Sequence, residues 1–541
     1  MVTIVKKHLK EAKYLVIIVS GAIASAITLP AIAKTPEEVG QIACDVSVQI
    51  NSTGNSGDGS GVIIAKNGDI YTVLTANHVK RDVGVNPIVQ PCSDSKSHSV
   101  LSFQSLGDLN NQQDPDLAVL TFKATDNYKT ATLGDSSQIK LGSNIYVFGY
   151  PVEGIGANRK RGSDREARFS PGSVVSIRKK ALNGNFIVYN AVTKGGMSGG
   201  PVFDVEGRVV AVHTSGDLEE GQGQVESGQT VTVRVKTGTN AGVPISAFLA
   251  KRGQIGTNVQ NVAVNNEPST EKPEEKLKNP QSTGDFVVAG MVESEKGDDK
   301  AAIDSFSEAI KRDSNSAEAY YRRGISKYRR GDKQGAVEDY GEAIKLNPDY
   351  SNAYYNRASI RFFELNDYPG AVADYTEALR LNPNDAISYF NRAAARSKLK
   401  DREGVVADFT EAIRVKPTYV EAYIERGRFR NTLGDRKGAI EDFTSAIELA
   451  PENTVNHPIA LYNRAAVRRN IKDLTGAVED FQKASELFPG VNEPELAKKA
   501  ADEVYWLNRE IKFESDRKLN PSTPAPKPSN PAPDGGLNEP I

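Results

Sequence analysis

The sequence has 541 residues, which is too long for one hydrophobic core and indicates about three or four domains. Hydrophobic residues make up 38% of the chain and charged residues 25%, as in ordinary soluble globular proteins. The formal net charge of −2 gives no support for nucleic-acid binding.

The N-terminus has the composition of an export signal. Four lysines precede an apolar run at residues 14–29: Lys6, Lys7, Lys10 and Lys13. Pro30 and the small-residue triplet Ala31-Ile32-Ala33 follow, so we predict a secretory signal peptide over residues 1–33. The alternative is a retained membrane anchor, but a spanning helix needs about 20 apolar residues. We expect an exported protein, periplasmic or extracellular, without a membrane segment once the signal peptide is removed.

The chain has two cysteines, Cys44 and Cys92. In an exported protein we predict a disulfide between them, which would tie the first strand to the loop after the second hairpin. Two buried free thiols are the alternative.

Residues 41–250 contain many short β-rich runs and almost no helical period. The run GVIIAKNGDIYTVLT at 61–75 predicts a hairpin with its turn at Asn67-Gly68. Similar runs follow, separated by turn residues, and together they indicate an all-β pair of barrels or sandwiches.

Two polar segments flank the second half of the chain. Residues 251–284 are rich in Asn, Pro, Glu and Lys, so we predict a flexible linker there. Residues 518–541 are rich in proline and are predicted to be a disordered tail.

Residues 285–513 contain an internal repeat. Aromatic residues recur at steps of 34, 35, 34, 34 and 38 residues, at Phe306, Tyr340, Tyr375, Phe409, Phe443 and Phe481. Alanines and prolines keep the same step, and within one unit the apolar residues have helical spacing. A step of 34 with this register resembles the tetratricopeptide repeat.

The resemblance to tetratricopeptide repeats implies an all-α solenoid of about six repeats. One further apolar stripe would form its capping helix, with Leu496, Ala500, Val504, Leu507 and Ile511 on one face. Such stacks present a concave surface, so we expect a protein partner on the repeats.

The stretch GMSGG at 196–200 places Ser198 among glycines, as a nucleophilic serine would require. The best candidate for its base is His78, at the end of the second hairpin strand. His98 lies in a polar run, where a solvated loop is the better interpretation. Asp116 directly precedes an apolar strand and can be the orienting acid, whereas Asp114 precedes a proline and is better explained as a turn residue.

The order His78, Asp116, Ser198, with the motifs VLTANHV, DLAVL and GMSGGPVF, resembles the chymotrypsin-like serine peptidases. The resemblance implies a double β-barrel in which Ser198 attacks the scissile carbonyl, His78 takes its proton and Asp116 orients the imidazole. It also implies an oxyanion hole formed by the N–H groups of Gly196 and Ser198. We expect neither a cofactor nor a metal.

Thr193 and His213 resemble the residues that bind the acidic side chain in bacterial glutamyl endopeptidases. The resemblance implies cleavage after Glu, because a carboxylate entering a pocket needs donors in place of water. It also implies that main-chain groups of Thr214–Gly216 pair with the substrate strand and that residues 240–245 form the opposite wall. The alternative is that His213 is a satisfied core histidine and that the pocket takes small apolar residues.

Three asparagines occupy one position on the first helices of the repeats, in the motifs YYNRA, YFNRA and LYNRA: Asn356, Asn391 and Asn463. Some repeat proteins use an asparagine there to clamp a C-terminal carboxylate. A packing asparagine followed by a solvated arginine is the preferred interpretation. The basic loop at 158–169 is similarly better explained as a solvated surface loop than as a site for acidic substrates.

The sequence therefore predicts an exported serine endopeptidase that acts on a protein or peptide substrate, with repeats that bind a substrate or a protein partner. The alternative is a non-catalytic scaffold in which the repeats carry the function and the barrels are a catalytically dead binding module.

Overall fold

The computed structural model describes residues 33–519, except 53–57, 85, 95, 109–113, 153–164, 179–186, 225–229, 256–258 and 260–261. The predicted signal peptide and the predicted tail lie almost wholly outside the described residues. Among the helices that the structure describes, none is both long enough and apolar enough to cross a membrane.

The chain enters the first barrel through helix α1 (Pro36–Val46), which Thr35 caps by accepting from the Glu38 N–H. The barrel closes in the order β1-β2-β3-β6-β5-β4. Its strands are β1 (Ser47–Asn51), β2 (Asp58–Asn67), β3 (Ile70–Thr75), β4 (Ile88–Pro91), β5 (His98–Ser105) and β6 (Ala118–Lys123). Helix α2 (Asn77–Val83) follows β3 directly.

The predicted hairpin is present as β2 and β3, but its turn lies one residue later than expected. Asn67 pairs with Ile70, so Gly68 and Asp69 form the two-residue loop. Gly68 has a φ of 62°, which fits a II′ turn with glycine at its first central position.

The second barrel is a ring in the order β11-β8-β9-β10-β13-β12, closed by pairing of β11 with β12. Two short strands extend the sheet beyond β12. The strands are β7 (Leu133–Gly134), β8 (Asn144–Gly149), β9 (Arg168–Ile177), β10 (Ile187–Tyr189), β11 (Pro201–Phe203), β12 (Val209–Gln224), β13 (Thr230–Pro244) and β14 (Val264–Asn265). A 3-10 helix at Ser136–Gln138 precedes β8, and helix α3 (Ile245–Lys251) with a 3-10 turn at Arg252–Gln254 follows β13.

The predicted disulfide is present between Cys44 and Cys92, with Cα atoms 5.2 Å apart. It joins the last turn of α1 to the residue after β4, rather than the first strand to a loop. The Cys92 N–H also donates to the Ser47 carbonyl, so the disulfide supports a junction that the backbone already makes.

Part of the segment predicted as a flexible linker is folded against the second barrel. Strand β14 pairs with β7, and helix α4 (Pro273–Lys278) follows it. The buried carboxylate of Glu206 accepts from the Thr270 N–H at 3.0 Å, and the Glu271 carboxylate accepts from the Asn144 N–H at 3.0 Å. These polar contacts hold the segment against the barrel. Because they involve no apolar pattern, the sequence shows no sign that the segment is folded.

The repeat region consists of six successive helix pairs and a final helix. The helices are α5 (Thr283–Glu295), α6 (Asp299–Arg312), α7 (Ala317–Arg329), α8 (Lys333–Leu346), α9 (Ser351–Phe363), α10 (Tyr368–Leu381), α11 (Ala386–Lys398), α12 (Arg402–Val415), α13 (Val420–Thr432), α14 (Arg436–Leu449), α15 (Asn456–Asn470), α16 (Leu474–Leu487) and α17 (Pro494–Leu519). A 3-10 helix at Phe488–Val491 connects the last two. An aspartate caps the second helix of every pair: Asp298, Asp332, Asp367, Asp401, Asp435 and Asp473.

The periodic aromatic residues all lie on the second helices and are buried, each at most 2% exposed. The apolar stripe of α17 packs against the last pair, with Ala500 and Leu507 buried in the cluster that contains Phe481 and Phe488. The prediction of an all-β double barrel followed by an all-α solenoid is confirmed.

One apolar cluster joins the second barrel to the repeats. Val175 on β9 and Val188 on β10 pack with Val287, Met291 and Val292 on α5. The two halves of the chain therefore share a core.

Candidate active site

His78 and Asp116 form a close pair at the edge of the first barrel. Nδ1 of His78 lies 2.6 Å from Oδ2 of Asp116, and the His78 N–H donates to Oδ1 at 2.9 Å. His78 is the second residue of α2, and Asp116 lies two residues before β6, so adjacent strands β3 and β6 bring them together. Both carboxylate oxygens are therefore occupied by His78, and the ring is held with Nε2 facing away from the carboxylate.

Ser198 lies in the turn between β10 and β11, beside the segment that leads into α2. A Cβ on Gly199 would lie 2.1 Å from Oγ1 of Thr75 and 3.0 Å from the Ala76 nitrogen. Gly199 also has a φ of 86°, which side chains rarely adopt. Glycine is required here because only it allows the serine turn to approach the start of α2 so closely.

The Ser198 hydroxyl donates to the Thr214 carbonyl at 3.2 Å. The structure thus brings together the His78–Asp116 pair but does not show a hydrogen bond from Ser198 to His78. Rotation about the Cα–Cβ bond of Ser198 redirects the hydroxyl, and catalytic hydrogen bonds often form only when substrate is bound.

The backbone N–H groups of Gly196 and Ser198 donate to no atom of the described residues. Ser60 holds the turn in place on both sides of Met197. Its hydroxyl donates to the Gly196 carbonyl at 2.8 Å, and its N–H donates to the Ser198 carbonyl at 2.8 Å. An oxyanion hole needs backbone N–H groups that donate to no other group and whose position is fixed. Here Ser60 fixes the turn by donating to the carbonyls of Gly196 and Ser198.

A buried arginine supports the same turn from behind. Arg165 donates from Nη1 to the Tyr150 carbonyl at 2.5 Å and from Nη2 to Oδ1 of Asn51 at 2.7 Å. A Cβ on Gly196 would lie 2.9 Å from Nη1. Arg165 belongs to the segment predicted as a solvated surface loop. For this residue the prediction is wrong, because its guanidinium is buried and donates to backbone carbonyls.

The residues expected to form the first substrate pocket lie around Asn240 on β13. Oγ1 of Thr193 donates to Oδ1 of Asn240 at 2.5 Å, and Nδ2 of Asn240 donates to the Ala191 carbonyl at 2.6 Å. Gly216 pairs with Asn240 across β12 and β13 and is exposed. Oγ1 of Thr214 donates to the Ala241 carbonyl at 3.3 Å.

His213 lies at the base of the same region and is 2% exposed. Its Nδ1 is 2.9 Å from the Tyr189 hydroxyl. Burial, and then the neighbouring His78, lowers the pKa of His213 to about 4, so its imidazole is neutral at pH 7. When Tyr189 donates to Nδ1, the ring proton is on Nε2, which is then a neutral donor. When Tyr189 donates instead to the Ala241 carbonyl, 3.3 Å away, the ring proton is on Nδ1 and Nε2 is an acceptor.

Three residues of the site were not singled out from the sequence. Asn240 begins the segment expected as the opposite wall, but its amide had no predicted role. Ser60 and Arg165 carry no motif, because their function depends on carbonyls that only the closed barrels bring near. A serine between two glycines at 59–61 is the single sequence signal for Ser60.

His98 is not in a solvated loop, as the sequence had suggested. It begins β5, is half-buried, and its Nε2 lies 2.8 Å from the Tyr128 hydroxyl. Packing against Phe122 and Tyr128 explains its position, which is separate from the His78–Asp116 pair.

The three repeat asparagines have different partners. Asn356 bonds to the backbone of Lys236 on β13, Asn391 donates to the Tyr355 hydroxyl at 3.2 Å, and Asn463 donates to the Ile459 carbonyl of its own helix at 2.8 Å. The structure does not bring them together on one ligand.

The arginines after these asparagines are not solvated, which corrects that expectation. Each makes a two-point ion pair with a buried aspartate on the second helix of its repeat, at 2.6–2.7 Å for the Nη2 contact: Arg357 with Asp374, Arg392 with Asp408 and Arg464 with Asp480. Arg323–Asp339 and Arg426–Asp442 repeat the arrangement. The charged pair therefore belongs to the internal structure of the repeat.

Within the described part of the chain, no group of three or more His, Cys, Asp or Glu residues could hold a metal ion.

Comparison with known proteins agrees with this architecture. Residues 59–212 match the family described as "Trypsin-like peptidase domain". Residues 288–351, 321–386, 357–401 and 420–453 match tetratricopeptide-repeat families. The chain therefore combines a trypsin-like peptidase domain with tetratricopeptide repeats.

The curated relatives are serine proteases by name. The "Serine protease Do-like HtrA" of Bacillus subtilis is 27% identical over 203 residues, which are 37% of this chain and 41% of that protein. A "Probable periplasmic serine endoprotease DegP-like" of Rickettsia conorii is 27% identical over 38% of this chain and 37% of that protein, and one of Pseudomonas fulva is 32% identical over 29% and 28%. The chain thus spans less than half the length of the relatives it matches.

Solved structures are similar to parts of the chain. YrrB, described as a TPR protein with an unusual peptide-binding site, is 20% identical over 37% of this chain and 99% of its own, with a TM-score of 0.33. The serine endoprotease from Yersinia pestis is 18% identical over 42% of this chain and 68% of its own, with a TM-score of 0.30.

Proposed function

We propose that this chain is an exported serine endopeptidase that hydrolyses peptide bonds through Ser198, His78 and Asp116. The observation that carries the proposal is the 2.6 Å contact of His78 with Asp116 beside the turn of Ser198. In that turn the N–H groups of Gly196 and Ser198 donate to no atom of the described residues. The HtrA- and DegP-like relatives, by their names serine proteases, support the reaction class, and the periplasmic relatives together with the Cys44–Cys92 disulfide support export.

In this mechanism the Ser198 hydroxyl first turns from the Thr214 carbonyl to Nε2 of His78. Its oxygen bonds to the scissile carbonyl carbon while its proton passes to Nε2, and the carbonyl π electrons become the oxyanion. The N–H groups of Gly196 and Ser198 donate to that oxyanion. The C–N bond then breaks, Nε2 returns its proton to the leaving amine, and water attacks the acyl-enzyme by the same route.

Asp116 positions the ring in this mechanism. Because its Oδ2 accepts from Nδ1, the imidazole lone pair is on Nε2, toward the serine, and the carboxylate stabilises the imidazolium that forms. Its second oxygen accepts from the His78 N–H, so rotation of the carboxylate would break a further contact.

The finer proposal is that the first pocket takes a glutamate side chain. The Thr193 hydroxyl is a donor suited to a carboxylate, and so is Nε2 of neutral His213 in the tautomer in which Tyr189 donates to Nδ1. Asn240 holds the Thr193 hydroxyl at 2.5 Å, so a bound carboxylate would have to replace that acceptor.

The reaction is tested with the full chain and an unfolded protein substrate. Ser198→Ala and His78→Ala should abolish cleavage, with loss of at least about 10³-fold in kcat. Ser102→Ala, at an exposed serine on β5, is the matched control and should cleave as the wild type does. Cleavage that survives Ser198→Ala in a folded protein would refute the mechanism.

The pocket is tested with peptides that differ only at the residue before the scissile bond. Glu should be turned over faster than its isostere Gln, and Thr193→Val should reduce that ratio. Equal or better cleavage after Ala or Val would refute the acidic pocket.

A non-catalytic scaffold is the second candidate, and one observation favours it: the Ser198 hydroxyl donates to Thr214 and not to His78. In that case the repeats would carry the function by binding a protein partner. A folded wild-type chain without cleavage of any unfolded substrate would support the scaffold.

A further inference from the structure

Asn356 on α9 clamps the backbone of one residue of the peptidase half. Its Oδ1 accepts from the Lys236 N–H at 2.8 Å, and its Nδ2 donates to the Lys236 carbonyl at 2.9 Å. Asn356 is 1% exposed, so the amide is committed to this contact. A side-chain amide that satisfies both backbone groups of one residue recognises an extended chain independently of its side chain.

Helix α7 continues the clamp along the same strand. The Tyr321 hydroxyl donates to the Lys236 carbonyl, and Nη1 of Arg322 donates to the Thr237 carbonyl. Nη2 of Arg322 donates to the Gly238 carbonyl at 3.1 Å. Three successive carbonyls of β13 are thus bound by the repeats.

The side chain of Lys236 lies between Tyr355 on α9 and Asp385, the N-cap residue of α11. Its ammonium group pairs with Asp385 and lies 4.3 Å from the centre of the Tyr355 ring. Both charged side chains are nearly buried, at 12% and 9% exposure. Burial alone would raise the pKa of Asp385, but the charge of Lys236 and the hydrogen bonds from Lys236 and Ser388 hold it below its usual value.

We call these five residues, Tyr321, Arg322, Tyr355, Asn356 and Asp385, the lysine groove. An aromatic face and a carboxylate around one ammonium are a recognition site for lysine, and here Tyr355 and Asp385 supply them. The other three residues of the groove bind the backbone of the strand. The groove spans α7, α9 and the N-cap of α11, which belong to three successive repeats.

The strand deforms where it meets the lysine groove. Gly216 pairs with Asn240, and Leu218 pairs with Lys236. Between these two pairs β13 advances by four residues while β12 advances by only two. The extra residues of β13 form a bulge, and Gly238 within it has a φ of 67°. A Cβ on Gly238 would lie 3.2 Å from Cε1 of Tyr321, so the bulge and the groove fit each other closely.

We propose that the lysine groove is a binding site for an extended peptide that contains a lysine. In this structure residues 236–238 of the same chain occupy the groove. A lysine-containing peptide from another molecule competes with them for it. Because Lys236 and Asn240 lie on the same strand and Asn240 holds Thr193, release of the strand loosens the first substrate pocket. Any effect on cleavage rests on the peptidase function proposed above, whereas the binding does not.

The probe is a fluorescein-labelled peptide RVKTGTN, the sequence of residues 234–240, added to the full chain carrying Ser198→Ala so that no cleavage occurs. The segment in cis has a high effective concentration, so the intact chain should bind the probe weakly. Lys236→Ala weakens the segment in cis, and the anisotropy titration should then show at least 10-fold tighter binding of the probe. Equally weak binding by both chains would overturn the proposal.

Two variants and one altered peptide make the test specific. On the Lys236→Ala background, Asn356→Ala should weaken probe binding at least 10-fold, while the matched asparagine variant Asn463→Ala should not change it. A probe with norleucine in place of lysine should also bind at least 10-fold more weakly. Unchanged binding with Asn356→Ala or with the norleucine probe would place the peptide elsewhere and overturn the proposal.

Displacement is measured separately by hydrogen exchange in the Ser198→Ala chain that retains Lys236. A saturating unlabelled probe should raise the exchange rate of amides in residues 236–240 and leave those of β2 unchanged. Probe binding without faster exchange at 236–240 would show that the segment in cis is not displaced. Circular dichroism verifies folding, and Lys236→Gln replaces Lys236→Ala if the latter does not fold.

Discussion

His213 is a buried histidine whose imidazole stays neutral where an ordinary histidine would be protonated. Burial lowers its pKa to about 4, so between pH 6.5 and 4 the unfolded chain binds a proton that the folded chain does not. The free energy of unfolding should therefore fall as the pH falls through this window. The contribution at pH 4.5 is on the order of 2 to 3 kcal/mol.

His213→Gln should lose this part of the pH dependence, and denaturant unfolding at pH 7 and pH 4.5 measures it. Ser102→Ala, at an exposed and non-titrating residue of β5, is the control and should keep the wild-type difference between the two pH values. A His213→Gln chain that loses as much stability on acidification as the wild type would contradict a buried neutral imidazole.

Arg165 acts on the candidate site through the turn at Gly196, without touching Ser198 itself. Its guanidinium fills the space behind Gly196 and binds the Tyr150 carbonyl. Arg165→Met should lower kcat about 10-fold or more with a smaller change in KM, because the N–H groups that we propose bind the oxyanion would lose their fixed position.

Steady-state kinetics with one peptide substrate measure this effect. Arg168→Met, at the start of β9, is the control and should be near wild type, while Arg165→Lys should recover part of the loss. A change confined to KM would show that Arg165 supports substrate binding rather than the turn.

At the level of elements, each repeat from the second to the sixth has one buried carboxylate that binds an arginine of the preceding helix. In the fourth pair, Asp408 accepts from Arg392 at 2.6 Å and pairs with Arg396 at 3.0 Å. Removing a buried partner leaves uncompensated charge, which costs about 3–5 kcal/mol. Asp408→Ala should therefore destabilise the repeats by that amount.

The control is a surface pair on the same helix, Arg414 with Glu411 at 2.8 Å. Exposed pairs contribute about 0–1 kcal/mol, so Glu411→Ala should change little. Denaturant unfolding followed at 222 nm compares the two variants. Similar small losses for both would mean that the buried pair is not a structural requirement of the repeat.

The elements were largely predictable because their patterns are local. The helix pairs follow from an aromatic and an alanine at a fixed step, and the β2–β3 hairpin follows from alternation around a glycine turn. Helix α2, which carries His78, was not predicted, because seven residues are too few to show a helical period. The bulge of β13 was not predictable either, since it exists only where the strand meets α7 and α9.

The candidate site was predictable to a similar extent. His78, Asp116 and Ser198 could be named from their motifs and their order, and the structure shows the first two in contact. Arg165 and Ser60 could not be named, because they act on backbone carbonyls and such contacts leave no pattern of residue types. The pairing of Asn356 with Lys236, 120 residues apart, depends on how the two halves pack.

At the scale of the whole molecule, the peptidase half and the repeats are joined in one apolar cluster. Met291 on α5 is 3% exposed and belongs to the cluster that contains Val175 and Val188 of the second barrel. Met291→Ala should cost about 2–5 kcal/mol and should affect both halves.

Hydrogen exchange resolved by segment measures this coupling. Amides of β10 and of α5 should both exchange faster in Met291→Ala. Leu507→Ala, in the core at the far end of the repeats, is the control and should raise exchange in α16 and α17 while leaving β10 unchanged. Protection of β10 that is unaffected by Met291→Ala would mean that the halves are stable independently.

The central proposal is that Ser198 is a nucleophile activated by His78, and covalent labelling tests it most directly. The full chain is treated with a fluorophosphonate, digested, and analysed by mass spectrometry for an adduct on the peptide that contains Ser198. We predict stoichiometric modification of Ser198 in the wild type and its loss in a folded His78→Ala chain. An unmodified Ser198 in the folded wild type, or labelling that does not depend on His78, would contradict the account.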